Sequence, residues 1–176
     1  NDVCFSESFI SVSKKSALYL AVENEKKKMV EVLSSHDKID VNFIYFFNSY
    51  LKEKRKLLLH KAIKTCNFEI IQILLNNQRV DINLKSFSKK NKKDCIIEKE
   101  KSTLYYIIKY GNLKILQFFL STKEADFNSI LSNFIYSPNN FFIDNKNIFQ
   151  YALPKSNVEI IDFLLKYNKI NKKISI

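Results

Sequence analysis

The amino-acid sequence predicts an all-α fold, built from a pair of helices that recurs along the chain. Only one glycine and two prolines occur among 176 residues, so few positions favour a break or a turn. Leucine and lysine, which lose little conformational freedom in a helix, are frequent. Apolar side chains recur with the i, i+3, i+4 spacing of a helical face, and the same pattern occurs in four gapless copies.

Each copy begins with a six-residue segment that aligns with the other three. The closing residues of these segments are Ala21, Ala62, Ile107 and Ala152. They are separated by 41, 45 and 45 residues. Within the second copy the first helix is predicted from about Leu58 to Thr65, and a second helix carries the apolar stripe from Ile70 to Leu75.

A tight turn separates the two helices of a copy. Three turns carry asparagine at equivalent positions, at Asn67, Asn112 and Asn157, and Gly111 precedes one of them. Glycine and asparagine tolerate the left-handed conformation that ends a helix, and asparagine also caps the next one. Because such a hairpin cannot bury its apolar face alone, the copies are expected to stack side by side.

These residues resemble the ankyrin repeat, which combines T-P-L-H-x-A, I-V-x-x-L-L and D-x-N motifs. The matching segments are Leu59-His60-Lys61-Ala62, Ser102-Thr103-Leu104, Ile70–Leu75 and Asp81-Ile82-Asn83. The resemblance implies a helix–turn–helix solenoid of about four repeats with extended finger loops. It divides a single array over 1–176 into repeats at about 16–56, 57–101, 102–146 and 147–171. Because no polar capping repeat is visible, we expect these residues to be a fragment of a longer array.

The copies are longer than the ankyrin period of about 33 residues. The added residues follow each D-x-N motif, where ankyrin repeats form a β-hairpin finger. Apolar residues at helical spacing occur in two of these inserts, at Phe43, Phe46, Phe47, Tyr50 and Leu51 and at Ile130, Leu131, Phe134 and Ile135. We expect short extra helices packed on the stack, with an aromatic binding surface as the alternative.

The other insert and two prolines carry further local signals. Residues 85–93 are rich in lysine and lack periodicity, which predicts a solvated loop, with an anion contact or nuclear-import signal as the alternative. Ser137-Pro138-Asn139-Asn140 predicts a turn. Pro154 is expected to kink or end the first helix of the fourth copy.

No catalytic residue, metal site or cofactor is predicted. The histidines and cysteines lack the short spacings of a zinc site, and the single glycine excludes a P-loop. His60 takes the histidine position of the ankyrin motif, which implies a structural hydrogen bond between repeats, and His36 is expected to be solvated. An odd number of widely spaced cysteines favours a reducing compartment, so we expect an intracellular location, cytoplasmic rather than nuclear.

The resemblance implies a non-enzymatic scaffold that binds a protein partner on a concave face and on the fingers. The candidate binding residues are Glu23, Asn24, Lys64, Thr65, Lys109, Tyr110, Tyr45, Phe47, Lys89, Lys90, Lys92 and Lys93. The net charge of +11 makes binding of nucleic acid or an anionic surface the alternative. Nearly all of this charge is lysine, which an AT-rich coding sequence also explains. A regulatory array within a larger protein is a further alternative.

Overall fold

The computed structural model describes residues 12–49, 52–110, 112–122, 124, 126–127, 131–155 and 158–171. Within these ranges, pairs of helices alternate with β-hairpins along the chain. The helices are α1 (Ala17–Glu23), α2 (Lys27–Ser35), α3 (Leu58–Thr65), α4 (Phe68–Asn76), α5 (Thr103–Tyr110), α6 (Leu113–Thr122), α7 (Ile148–Ala152) and α8 (Val158–Asn171). The strands are β1 (Val12–Lys14), β2 (Ile44–Ser49), β3 (Lys52–Leu57), β4 (Ser86–Asn91), β5 (Ile96–Lys101), β6 (Leu131–Ser137) and β7 (Asn140–Lys146).

The helices form two layers. The odd-numbered helices, which we call the inner helices, contact one another in the order α1, α3, α5, α7, and the even-numbered helices do the same. In the second copy, the side chains of Ile70, Ile71 and Leu74 are completely buried between these layers. Burial of each such side chain contributes about 1.5–3 kcal/mol to folding. The predicted helix pair and its apolar stripe are therefore confirmed.

The turns of the second and third helix pairs end in an asparagine cap, whereas Lys26 in the first turn forms no side-chain cap. Asn67 has an extended backbone, and its side chain accepts a hydrogen bond at 3.3 Å from the backbone N–H three residues later. Asn112 accepts the equivalent bond at 3.0 Å. Two turns contain a residue with a left-handed backbone just before the N-cap of the second helix, Cys66 with φ of 57° and Glu25 with φ of 54°. The asparagine caps are confirmed at Asn67 and Asn112, and Asn157 lies outside the described residues.

The prediction of an all-α fold is wrong, because the inserts form strands. The seven described strands make one antiparallel sheet, in the order β1 to β7. Each hairpin also pairs with the next, through β3 with β4 and β5 with β6. Backbone N–H and C=O groups of the inserts are thus satisfied between repeats as well as within them.

The prediction of extra helices in two of the inserts is also wrong, because both inserts form strands. Phe46 and Phe47 lie in β2 just after Phe43, whereas Tyr50 and Leu51 lie outside the described residues. Leu131, Phe134 and Ile135 lie in β6, and Ile130 is not described. Apolar residues three and four apart suit a helix, but these segments pair with strands on both sides, which a local pattern does not reveal.

The lysine-rich insert is not a loop along its whole length. Ser86–Asn91 forms β4, and only the residues after it make the turn, where the Lys92 N–H donates to the Cys95 carbonyl at 2.8 Å. The predicted turn between β6 and β7 is confirmed. The effect of Pro154 is also confirmed, because α7 ends at Ala152 and a 3-10 turn follows.

The D-x-N motif joins one copy to the next. The backbone N–H of Asn42 donates to the Asp40 carboxylate at 2.9 Å, and the same turn recurs at Asn83 and Asp81 at 2.8 Å. The Asn42 side chain also donates to the Arg79 carbonyl and accepts from the Asp81 N–H, both at 2.8 Å. These bonds hold the ends of two adjacent copies in register.

Arg79 adds a second connection between the first two copies. Its guanidinium donates to backbone carbonyls of four residues, Ser34, His36, Asp37 and Ile39, at 2.6, 3.3, 3.1 and 3.1 Å. These carbonyls follow or close α2, where a helix leaves such groups without a partner. A planar group with several donors is suited to this arrangement.

Candidate partner-binding site

The C-terminal ends of the inner helices present equivalent residues on successive copies. We call this surface, together with the face of the sheet beside it, the inner face. The predicted binding residues at these ends are Glu23, Asn24, Lys64, Thr65, Lys109 and Tyr110. The structure brings three of them together, because the ammonium groups of Lys64 and Lys109 lie 5.6 and 4.8 Å from the centre of the Tyr110 ring.

Two polar residues of this set bond to their own helices. The Asn24 amide donates to the Leu20 carbonyl at 2.9 Å, and the Thr65 hydroxyl donates to the Ala62 carbonyl at 2.8 Å. Each caps the end of an inner helix.

Glu23 forms ion pairs with one lysine before α1 and one in α3 of the next copy. Its carboxylate accepts hydrogen bonds from Lys15 and from Lys61, the latter at 3.0 Å. These bonds lower the pKa of the Glu23 carboxyl below its usual value.

A row of tyrosines lies beneath the inner face. Tyr106 stacks on His60 with ring centres 4.3 Å apart, and Tyr105 lies 5.1 Å from Tyr106 and 4.7 Å from Tyr151. Tyr105 and Tyr106 are only 6% and 7% exposed. Burial is the main cause that raises the pKa of Tyr105 to about 12. These rings are therefore mainly part of the core, and little of their area faces solvent.

His60 connects the second and third copies. It is 2% exposed, and its Nε2 lies 3.1 Å from the Thr103 hydroxyl, which donates to the Ile82 carbonyl at 2.6 Å. Because the threonine proton is used in this way, Nε2 is the donor and Nδ1 is unprotonated. Burial, followed by the nearby Lys64 charge, lowers the pKa of His60 to about 3. The expected structural hydrogen bond between repeats is confirmed.

The inner helices meet the sheet through an aromatic contact. Tyr45 in β2 stacks on Tyr19 in α1 with ring centres 5.3 Å apart, and the Lys56 ammonium lies 5.4 Å from the centre of the Tyr45 ring. Phe47, two residues along the same strand, lies on the same face of the sheet. Tyr45 thus belongs to the inner face.

Strand alternation separates the charges of β3, β4 and β5 onto two faces. Directly paired residues lie on the same side of a sheet, so the pairing places six lysines on the face towards the inner helices. They are Lys52, Lys54, Lys56, Lys90, Lys99 and Lys101. The opposite face carries Glu53, Arg55, Lys89, Glu98 and Glu100. All the carboxylates of these three strands are therefore on the opposite face.

Ion pairs on the opposite face neutralise its positive charges. Arg55 and Glu53 lie 2.8 Å apart, and Lys89 and Glu98 lie 3.0 Å apart. Lys89, one of the predicted binding residues, therefore lies away from the inner face. Lys92 and Lys93 lie in or beside the β4–β5 turn, also apart from it.

A cleft of about 240 Å³ lies between the lysine-bearing face and the inner helices. Its polar lining includes Lys54, Lys56, Lys64, Lys101, Ser86 and Tyr106. Arg55, which is paired with Glu53, also contributes to the lining. The Ser86 and Tyr106 hydroxyls are hydrogen-bonded to each other at 2.9 Å. None of the described residues that line the cleft is acidic.

Burial and neighbouring positive charges lower the pKa values of three lysines of this cleft. Burial, and then the charges of Lys56, Lys101 and Lys109, lower the pKa of Lys64 to about 8. Burial and neighbouring lysines also lower the pKa values of Lys54 and Lys101. Sequence reasoning identified Lys64 but missed the other lysines of the cleft. The signal for them was the presence of lysine at every second position of β3.

The described residues include neither a membrane-spanning helix nor a group of metal ligands. None of the helices that the structure describes is long and apolar enough to cross a membrane. Among the same residues, no group of three His, Cys, Asp or Glu side chains is placed to hold a metal ion.

Comparison with known proteins bears on the first half of the chain. Residues 5–86 match a family model described as ankyrin repeats (3 copies). No curated protein matches the sequence. The matched residues include α1 to α4 and the first hairpin, and the arrangement of helix pairs and hairpins continues beyond them.

Proposed function

Because the chain contains ankyrin repeats, matched over residues 5–86, we propose that it is a scaffold that binds a protein partner on its inner face. Ankyrin repeats generally mediate protein–protein interactions and are typically non-enzymatic. Our proposal assigns the contact to a particular surface of this chain, which comprises the ends of α1, α3 and α5 and the adjacent face of the sheet.

The observation that carries this assignment is the alignment of equivalent side chains on three packed copies. Glu23, Lys64 and Lys109 occupy the same position in successive inner helices, and these helices contact one another in order. Bonds between copies, such as those of His60 and Arg79, hold adjacent copies in one arrangement. A preorganised surface binds well because little conformational entropy is lost on association.

Affinity capture from native extract tests the proposal. The chain is compared with an inner-face variant, Asn24→Ala with Tyr110→Ala, and with a control on the even-numbered helices α2 and α6, Glu31→Ala with Gln117→Ala. All four residues are exposed on their helices or helix ends. We expect a discrete protein that is retained in high salt, survives nuclease treatment, and is lost only with the inner-face variant.

Other results would contradict the proposal in different ways. A protein retained equally by both variants would place the contact elsewhere. Material lost on nuclease treatment would favour nucleic acid, for which steep dependence on salt is expected because binding releases counterions from the phosphates.

A further inference from the structure

The cleft between the sheet and the inner helices contains positive charge without a partner of opposite sign. Lys54, Lys56, Lys64 and Lys101 form no ion pair with any carboxylate in the described part of the chain. They come from β3, α3 and β5, so three separate segments contribute to one cluster. Elsewhere on the protein, lysines near carboxylates do form pairs, as Lys61 does with Glu23 at 3.0 Å.

Such a cluster opposes folding. Lysine is strongly hydrated, and like charges in a partly buried cleft repel one another. Some of the ammonium groups find only weaker partners, since Lys64 lies 5.0 Å from the centre of the Tyr106 ring and Lys101 lies 4.8 Å from that of Tyr105. An arrangement that destabilises the free protein is typical of a binding site, where the ligand supplies the missing charge.

We propose that this cleft binds the carboxylate or phosphoryl oxygens of an acidic segment in the protein partner. This inference rests on the proposed function and specifies the chemistry of the partner. The ammonium groups supply donors and positive charge, and the Ser86 and Tyr106 hydroxyls lie in the same lining. Both carboxylates and phosphoryl groups accept such charge-assisted hydrogen bonds.

The size of the cleft fits side-chain groups. A volume of about 240 Å³ corresponds to roughly eight water molecules at about 30 Å³ each. That is room for one or two carboxylates, or one phosphoryl group, with a few waters. A globular surface would not enter, whereas an extended segment with acidic side chains would.

The aromatic residues argue against single-stranded nucleic acid as the ligand. Proteins that bind single strands commonly stack bases on exposed aromatic rings. Here Tyr105 and Tyr106 are almost completely buried, and Tyr106 is stacked on His60. Lysine ammonium groups also lie over both rings. Within the cleft itself, little ring surface is therefore left for a base.

The test uses three probes with the whole chain. They are a glutamate-rich octapeptide, a phosphoserine peptide of the same length and net charge, and a single-stranded oligonucleotide. Binding is measured by calorimetry at about 150 mM salt, where long-range effects of net charge are largely screened. The cleft variant Lys56→Gln with Lys64→Gln is compared with Lys92→Gln with Lys93→Gln, which removes the same charge near the β4–β5 turn.

We expect the cleft variant to weaken binding of at least one acidic peptide about tenfold or more and the control variant to weaken it less than about twofold. The peptide that binds more tightly identifies carboxylate or phosphoryl oxygens as the preferred group. Because removal of two repelling charges should not unfold the protein, circular dichroism and melting of the cleft variant are expected to match or exceed those of the parent.

Three results would overturn the inference. They are no saturable binding of either peptide, equal weakening by both variants, and binding of the oligonucleotide alone through the cleft lysines. The first two leave the scaffold proposal standing if Asn24→Ala with Tyr110→Ala still abolishes capture of a partner. The scaffold proposal has its own test, and it fails if Asn24→Ala with Tyr110→Ala captures the partner as well as the parent does.

Discussion

Acidification from pH 7 to pH 5 should destabilise this protein through His60. The imidazole is neutral in the folded state, where burial lowers its pKa to about 3, and it regains a pKa of about 6.5 when the chain unfolds. A group whose folded pKa is depressed below its unfolded value favours the folded state above the unfolded pKa. That contribution is lost as the pH falls from about 6.5 towards 3, because only the unfolded state takes up the proton.

The size of the effect follows from proton linkage. Between pH 7 and pH 5, one proton with these two pKa values lowers the free energy of unfolding by about 2 kcal/mol. The result requires only that the folded pKa lies well below 5. Most carboxylates remain ionised in this interval, and the chain has two histidines, so the interval isolates a histidine effect.

Urea unfolding at both pH values measures this loss in the parent, in His60→Gln and in His36→Gln. His36 is exposed, which makes it the matched control. The parent and His36→Gln should each lose about 2 kcal/mol, whereas His60→Gln should start less stable by about 1–3 kcal/mol, because it disturbs a buried hydrogen bond, and should then change little. The explanation is wrong if the parent loses less than about 0.5 kcal/mol of unfolding free energy between the two pH values. It is also wrong if His60→Gln depends on pH as strongly as the parent.

Two further substitutions test the stacking and the connection between copies. Leu74→Ala removes a completely buried side chain and should lower the free energy of unfolding by about 2–5 kcal/mol. Lys92→Ala should lower it by less than about 0.5 kcal/mol. Equal losses in urea unfolding would contradict the core assignment. Arg79→Lys should cost about 1–2 kcal/mol, because one ammonium group cannot reach all the carbonyls that the guanidinium contacts. Arg55→Lys, which keeps its single carboxylate partner, should cost less, and thermal melting that ranks the two the other way would count against the role of Arg79.

The helix pairs could be predicted because the interactions that define them are local. The stripe from Ile70 to Leu75 spans little more than one turn of a helix, and the cap at Asn67 bonds a backbone group three residues away. However, the residue with the left-handed backbone conformation is Cys66 and not the asparagine that follows it. The shared conformation of Cys66 and Glu25 is tolerated because the flanking helices impose the turn, which residue preference alone does not show.

The strands could not be predicted from apolar spacing. In β3 and β5 the two-residue alternation is carried by charge, with lysine on one face and glutamate or arginine on the other. A search for apolar periodicity does not detect this pattern, and apolar residues such as Phe43, Phe46 and Phe47 suit a helix equally well. These segments form strands because they pair with segments far along the chain, as Lys54 does with Ser88.

The repeat, the helix pairs, the family resemblance and the equivalent positions at the ends of the inner helices were all readable from the amino-acid sequence. These features depend on residues a few positions apart or on one copy's likeness to the next. The sheet formed by the inserts, and the cleft surrounded by lysines of β3, α3 and β5, became visible in the folded chain alone. Strand register selects which charges share a face, and register depends on backbone pairing between repeats.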